Sequence, residues 1–184
     1  CLYFNIAADF REPGIWRDAS KPLLWLYNLH YFDDLGAGGE SARNWRAGLI
    51  PRWLAQVPPG QTPAWDPYVL SRRIPAWIKW LLDGHDAFPG MVDSLFSQSL
   101  YLAKTIETHL YANHIFANAK ALVFSGLFFG GPLGARLDHL GEALLARELK
   151  AQVLDDGAHF EVSPSYQAVV YEDLLDLVNL SRAY

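Results

Sequence analysis

The chain has 184 residues, 51% of them hydrophobic, with a formal net charge of −5, seven Trp, nine Tyr, ten Phe and one Cys. That is enough to bury a sizeable core as one domain or as a piece of a larger one; the negative charge argues against a nucleic-acid partner, and a lone cysteine excludes an internal disulfide. No uninterrupted apolar run reaches the ~18 residues of a membrane span, and the start at Cys1 without a signal pattern, with an end at Tyr184 inside a periodic apolar run, gives the expectation of a stretch cut from a longer protein.

Residues 1–40 read as an irregular or short-stranded arm, punctuated by Pro13, Gly14, Pro22, Gly36, Gly38 and Gly39 and carrying the aromatic run from Leu24 to Phe32. The arm is expected to pack on the helices that follow. Within it His30 reads as a hydrogen-bonded structural histidine, because no second His or Cys stands at metal-ligand spacing. Residues 41–184 read as six helices, near 41–56, 68–83, 90–110, 114–128, 135–154 and 167–184. The third places Asp93, Gln98, Lys104 and Glu107 off an apolar face, and the fifth does the same with Arg136, Asp138, Glu142, Arg147 and Lys150; each is expected to have a wet side. The second, fourth and sixth are apolar on most faces and are expected to be inner helices. Pro75 should start or kink the second helix, since a proline past the first turn loses a backbone bond.

Alternating inner and outer helices, joined in antiparallel pairs, predict an all-α fold, an incomplete α/α toroid. Antiparallel connection collects Tyr68, Ser71, Arg72, His109, Asn113, His114, His159, Glu161, Ser163 and Tyr166 at one end. The two longer connections, 57–67 and 155–165, lie at that end, and long loops on a rigid scaffold are where sites concentrate. Tyr166 and Ser163 can also be read as an aromatic cap and an N-cap, and Asn113 and His114 as capping residues. Yet Asn113, His114, Asn118 and Lys120 exceed what a cap requires. Lys120, two turns into an inner helix, needs a cleft or a partner, for which Asp173 and Glu172 are the candidates. No nucleophile elbow, phosphate-binding glycine loop or H-E-x-x-H motif is present. Glu161 and Asp66, both on loops at this end, keep glycoside hydrolysis open.

Four separated motifs then carry a resemblance: Leu24–Asp33; Arg73-Ile74 before Trp77-Ile78-Lys79-Trp80; Asn113-His114 before Ala117–Leu122; and His159-Phe160-Glu161 before Ser163-Pro164 and Tyr166. Together they resemble heparinase II/III-like proteins. The resemblance implies an α/α toroid followed by a β-sandwich domain, absent from this stretch, and a periplasmic or secreted polysaccharide lyase acting on acidic, uronic-acid-containing glycans. It implies Asn113 as neutraliser of the uronate carboxylate and Tyr166 as acid/base, with His114 adjacent; Arg72, Tyr68, His159 and Glu161 are the accompanying candidates for substrate binding. No cofactor is expected in this stretch, although related lyases take a further His, and sometimes a metal, from the β-sandwich. The chemistry suits the residue types. Elimination sends charge into the carboxylate, where aimed donors stabilise it, and a tyrosine phenol, ordinarily with a pKa near ~10, can protonate a leaving oxygen or, once ionised, take a proton. Arg43, Arg46, Arg52, Arg72 and Arg73 could form a local basic patch. A non-cleaving role in glycan binding or polysaccharide assembly is the main competing expectation.

Overall fold

In the computed structural model, residues 2–12, 14–108 and 113–184 are described. His109, expected at the same end as Asn113, falls outside them. The backbone divides into two compact units, Cys1–Gln98 and Ser99–Tyr184.

The first unit opens on a two-residue hairpin, β1 (Leu2–Tyr3) against β2 (Ile6–Ala7), turned through Phe4 and Asn5 at φ 51° and 62°. A single 3-10 turn at Ile15–Arg17 precedes α1, Leu23–Tyr31. The aromatic run is therefore helical, not irregular. Trp25, Leu26, Leu29 and His30 are buried at i, i+1, i+4 and i+5, a helical stripe whose packing overrides the β preference of its aromatic residues. Helix α1 lies against α4, Pro67–Leu82. The helix predicted over 41–56 is two, α2 (Glu40–Ala47) and α3 (Leu49–Gln56), separated at Gly48. Pro51 explains the break. In a continuous helix its ring would clash with the preceding turn, whereas within the first turn of α3 it forfeits no helical bond.

Helix α4 begins with Pro67 at its first turn and continues through Pro75 without ending; Val69, Leu70, Ile74, Trp77 and Ile78 are fully buried, as expected of an inner helix. Among them lies Arg73, also fully buried. Its guanidinium donates to Gln98 Oε1 (2.9 Å) and to the carbonyls of His30 (3.1 Å) and Ala64 (2.8 Å), and stands 4.2 Å from the Trp53 ring centroid. Desolvation lowers its pKa to about 9, so it stays charged at neutral pH. Arg73 is thus a core cation and no part of a surface basic patch. Gln98, expected on a wet face, is buried as its partner.

The second unit takes in the end of α5 (Met91–Lys104), then α6 (Asn113–Phe129), α7 (Gly131–Gln152) and α8 (Pro164–Ala183). Every residue of α6 from Ile115 to Gly126 is buried, which bears out its reading as an inner helix. A single residue, Gly130 at φ 61°, links α6 to α7, so α7 starts four residues earlier than predicted. The two helices pack through glycines. A Cβ on Gly126 would meet Asp138 backbone N at 2.5 Å, one on Gly134 the Gly126 carbonyl at 2.6 Å, and one on Gly141 Val123 backbone N at 2.8 Å. As numbers rise along α7 they fall along α6, so the pair is antiparallel. Helix α7 keeps the expected wet side, with Leu137 and Leu144 buried. Helix α8 departs from expectation: Val170, Asp173 and Leu180 are buried, but Tyr171, Leu175 and Val178 are 59%, 45% and 44% exposed. It is covered along one face only. The all-helical class predicted from the sequence is the one observed, the hairpin apart.

Candidate active site at the start of helices α6 and α8

A buried ion cluster ties α6 to α8. Lys120 and Asp173 are 4% and 1% exposed; the Lys120 ammonium donates to Asp173 and, at 3.1 Å, to Asp176. A buried ammonium is tolerable only with such partners, and the sequence reading named Asp173 as one of two candidates.

The direction of α8 follows from its own start. Gln167, in its first turns, accepts the His159 backbone N–H, and His159 is held to Gln152 at the end of α7 by the ring contact Nε2···Oε1 (3.2 Å) and by the bridge between Val153 and His159. So α8 begins where α7 ends, which is where α6 begins, and α6 and α8 run in parallel. Asn113 lies seven residues before Lys120, and Tyr166 seven before Asp173. Seven residues are close to two turns, ~10 Å, and return to nearly the same face. Asn113 and Tyr166 each lie about two turns before the clamp, on the N-terminal side of their own helix.

Exposure separates roles here. Asn113 and His114 are partly exposed and Tyr166 is 40% exposed, whereas Asn118, grouped with them in the sequence, is fully buried and accepts the backbone N–H of Glu107 at 3.1 Å. Glu107 is itself 8% exposed, and its carboxylate is 3.2 Å from His114 Nδ1. This acid was missed. The third helix was expected to continue past it with Glu107 on a wet face, but α5 ends at Lys104; the available signal was the β-branched Thr105, Ile106 and Thr108, which interrupt the helical pattern.

His159, a candidate for substrate binding, is 2% exposed. Gln152 donates its amide N–H to Glu148 (2.8 Å), so its oxygen faces His159, and His159 Nε2 must be the N–H donor. The other nitrogen, Nδ1, has no hydrogen-bond partner and lies 3.8 Å from Glu161, too far for a hydrogen bond. Its ring is 6.3 Å from that of Tyr166. His159 consequently acts on anything at the surface through its neighbours, while Glu161 is partly exposed there. Between Glu161 and the α8 N-cap residue Ser163, which makes no side-chain cap bond, Val162 holds φ 51°, an uncommon conformation for a β-branched residue.

Tyr68 and Arg72 belong to the first unit. Arg72 is bound through Nε and Nη2 to Asp33 Oδ2 (3.1 and 3.0 Å), and Tyr68 packs edge-on against Tyr31 at 6.0 Å. Asp66, considered for hydrolysis, accepts the Tyr27 hydroxyl at 2.6 Å.

A family model, that of the heparinase II/III N-terminus, matches residues 53–184. The chain belongs to the heparinase II/III N-terminal family. The match runs from α3 to α8, so it includes all of the second unit and leaves out the hairpin, α1 and α2. No curated protein and no solved structure matches. Membership of the heparinase II/III N-terminal family makes this a domain related to polysaccharide lyases. Among the described residues no helix is long and apolar enough to cross a membrane.

Proposed function

We propose that this chain is the helical part of a polysaccharide lyase that cleaves uronic-acid-containing glycans by β-elimination, with Asn113 and Tyr166 at the reacting sugar. The support is a family match together with spacing: in a heparinase II/III N-terminal domain, Asn113 and Tyr166 each lie seven residues before the Lys120–Asp173 clamp that joins their helices, and neither side chain is part of the buried core.

In such a reaction the C5 proton leaves to a base, its electron pair forms the C4–C5 double bond, the C4–O4 bond breaks, and the departing oxygen takes up a proton. The amide of Asn113 donates to the uronate carboxylate, where negative charge grows, and the fixed dipole acts without reorganising. Tyr166 delivers the proton to O4 or, as phenolate, removes the one on C5.

The test is to incubate the full-length protein with a panel of uronic-acid polymers and follow the ultraviolet absorbance of the unsaturated uronate product. Asn113→Ala is expected to lower turnover by ~10²–10³-fold and Tyr166→Phe by ~10²–10⁴-fold. Reducing sugar released without that absorbance overturns elimination in favour of hydrolysis; glycan binding with neither signal overturns catalysis altogether.

A further inference from the structure

Glu107 is a buried acid that the elimination chemistry does not use. Taking a carboxylate out of water is costly unless it is paired, and this one is 3.2 Å from His114 Nδ1. Its position is fixed from the same helix. Asn118 lies four residues after His114 on α6, hence on the same face, and its Oδ1 holds the Glu107 backbone N–H at 3.1 Å. Two side chains of α6, one turn apart, thus grip residue 107 by its backbone and by its carboxylate.

The pairing has a chemical consequence. An ionised carboxylate only accepts hydrogen bonds, and a neutral imidazole has one N–H. With Glu107 at Nδ1, that proton must be on Nδ1, and the lone pair must be on Nε2. Imidazole in water favours the opposite tautomer, so the protein selects the state. We propose that Glu107 is a positioning residue that fixes the Nδ1–H tautomer of His114. Under the lyase reading above, on which this consequence rests, Glu107 sets which nitrogen of the ring beside Asn113 carries the proton.

The experiment uses the ¹⁵N-labelled chain and two-bond ¹H–¹⁵N correlation spectra of its six histidines, at a pH where the rings are neutral, with His114 assigned by its loss in His114→Gln. The expected result is an Nδ1-protonated pattern for His114, lost or inverted in Glu107→Leu and kept in Glu107→Gln, whose amide oxygen still accepts. Where Leu is not tolerated, Glu107→Ala makes the same comparison, and unchanged signals from the other histidines show that the fold is intact. An Nε2–H pattern in the wild type, or an Nδ1–H pattern that survives removal of the acceptor, overturns the proposal. Because no substrate is involved, a silent elimination assay beside the expected tautomer result removes the lyase reading and leaves the Glu107–His114 pairing in place.

Discussion

His30 and Arg73 share one aromatic cage yet answer to burial differently. Arg73 keeps its charge because three acceptors and the Trp53 face replace water. His30 is satisfied only when neutral: Nε2–H donates to the Trp16 carbonyl at 2.9 Å, and Nδ1 accepts the Trp53 indole N–H at 3.0 Å. Protonating Nδ1 would set two donors against each other, and desolvation, then the Arg73 charge, lowers the His30 pKa to about 3 from its ordinary 6.5. Between those values the unfolded chain binds the proton and the folded one does not, so the stabilisation is complete above pH ~6.5 and is lost as pH falls toward ~3. The slope is at most ~1.4 kcal/mol per pH unit, or ~2–3 kcal/mol between pH 6.5 and 4.5. Urea unfolding followed by tryptophan fluorescence should show that loss, since all seven Trp lie between residues 16 and 80 and report on the first unit. His30→Gln, whose amide can donate to Trp16 and accept from Trp53, should be less stable at pH 7 but flatter across this range. An equally steep dependence in the variant would assign the effect to other groups.

Helices α6 and α7 approach so closely that Gly126, Gly134 and Gly141 leave no room for a methyl group. Gly141→Ala should cost ~1–3 kcal/mol through overpacking, although alanine is the better helix former, because the atoms it meets include the backbone of Val123 and the Ala119 carbonyl at 2.9 Å; denaturant midpoints read by circular dichroism would check this. Between α6 and α8 the Lys120 cluster behaves differently. Lys120→Ala should cost ~3–5 kcal/mol, since it strands a buried carboxylate, whereas Lys120→Met with Asp173→Leu should recover most of that loss. Failure of the double variant to recover stability would mean that Asp176, or the packing of the lysine stem, carries the contact. The buried course of α6 was legible in the sequence, and so was Asp173 as one of two candidate partners for Lys120, because an apolar run with one charge has few physical solutions; the second partner, Asp176, was not foreseen. Helix α1 was not: aromatic composition hid the stripe of Trp25, Leu26, Leu29 and His30. The break at Gly48 was signalled by Pro51 and read past. Helix α8 shows another limit, since an all-round apolar sequence says that a helix can be covered on every side but not what covers it. Glu107 was hidden for the opposite reason, as a lone acid looks solvated until a histidine is found beside it, and the β-branched Thr105, Ile106 and Thr108 signalled only that its helix stops short.

At the scale of the whole chain, the net charge of −5 constrains which acidic polymer can be handled. The basic patch that could have offset it is largely committed. Arg73 is in the core, Arg72 is paired with Asp33, and Arg46 binds Asp34 at 2.8 Å and the Ala37 carbonyl at 2.6 Å. Under the lyase reading, recognition then depends on aimed donors at one carboxylate more than on the field of these three arginines. Densely sulfated chains meet a net repulsion that these three committed arginines do not offset, so unsulfated polyuronates should be turned over several-fold faster at equal chain length. Salt should discriminate as well. Raising ionic strength from ~0.01 to ~0.15 M shortens the screening length from ~30 to ~8 Å; for a cation-lined site this weakens binding steeply, but here it should leave kcat/KM for a polyuronate unchanged or raise it as repulsion is screened. Steep inhibition by salt together with preference for a sulfated glycan would mean that cations outside these committed arginines govern the encounter, and the donor-based account of recognition would fall.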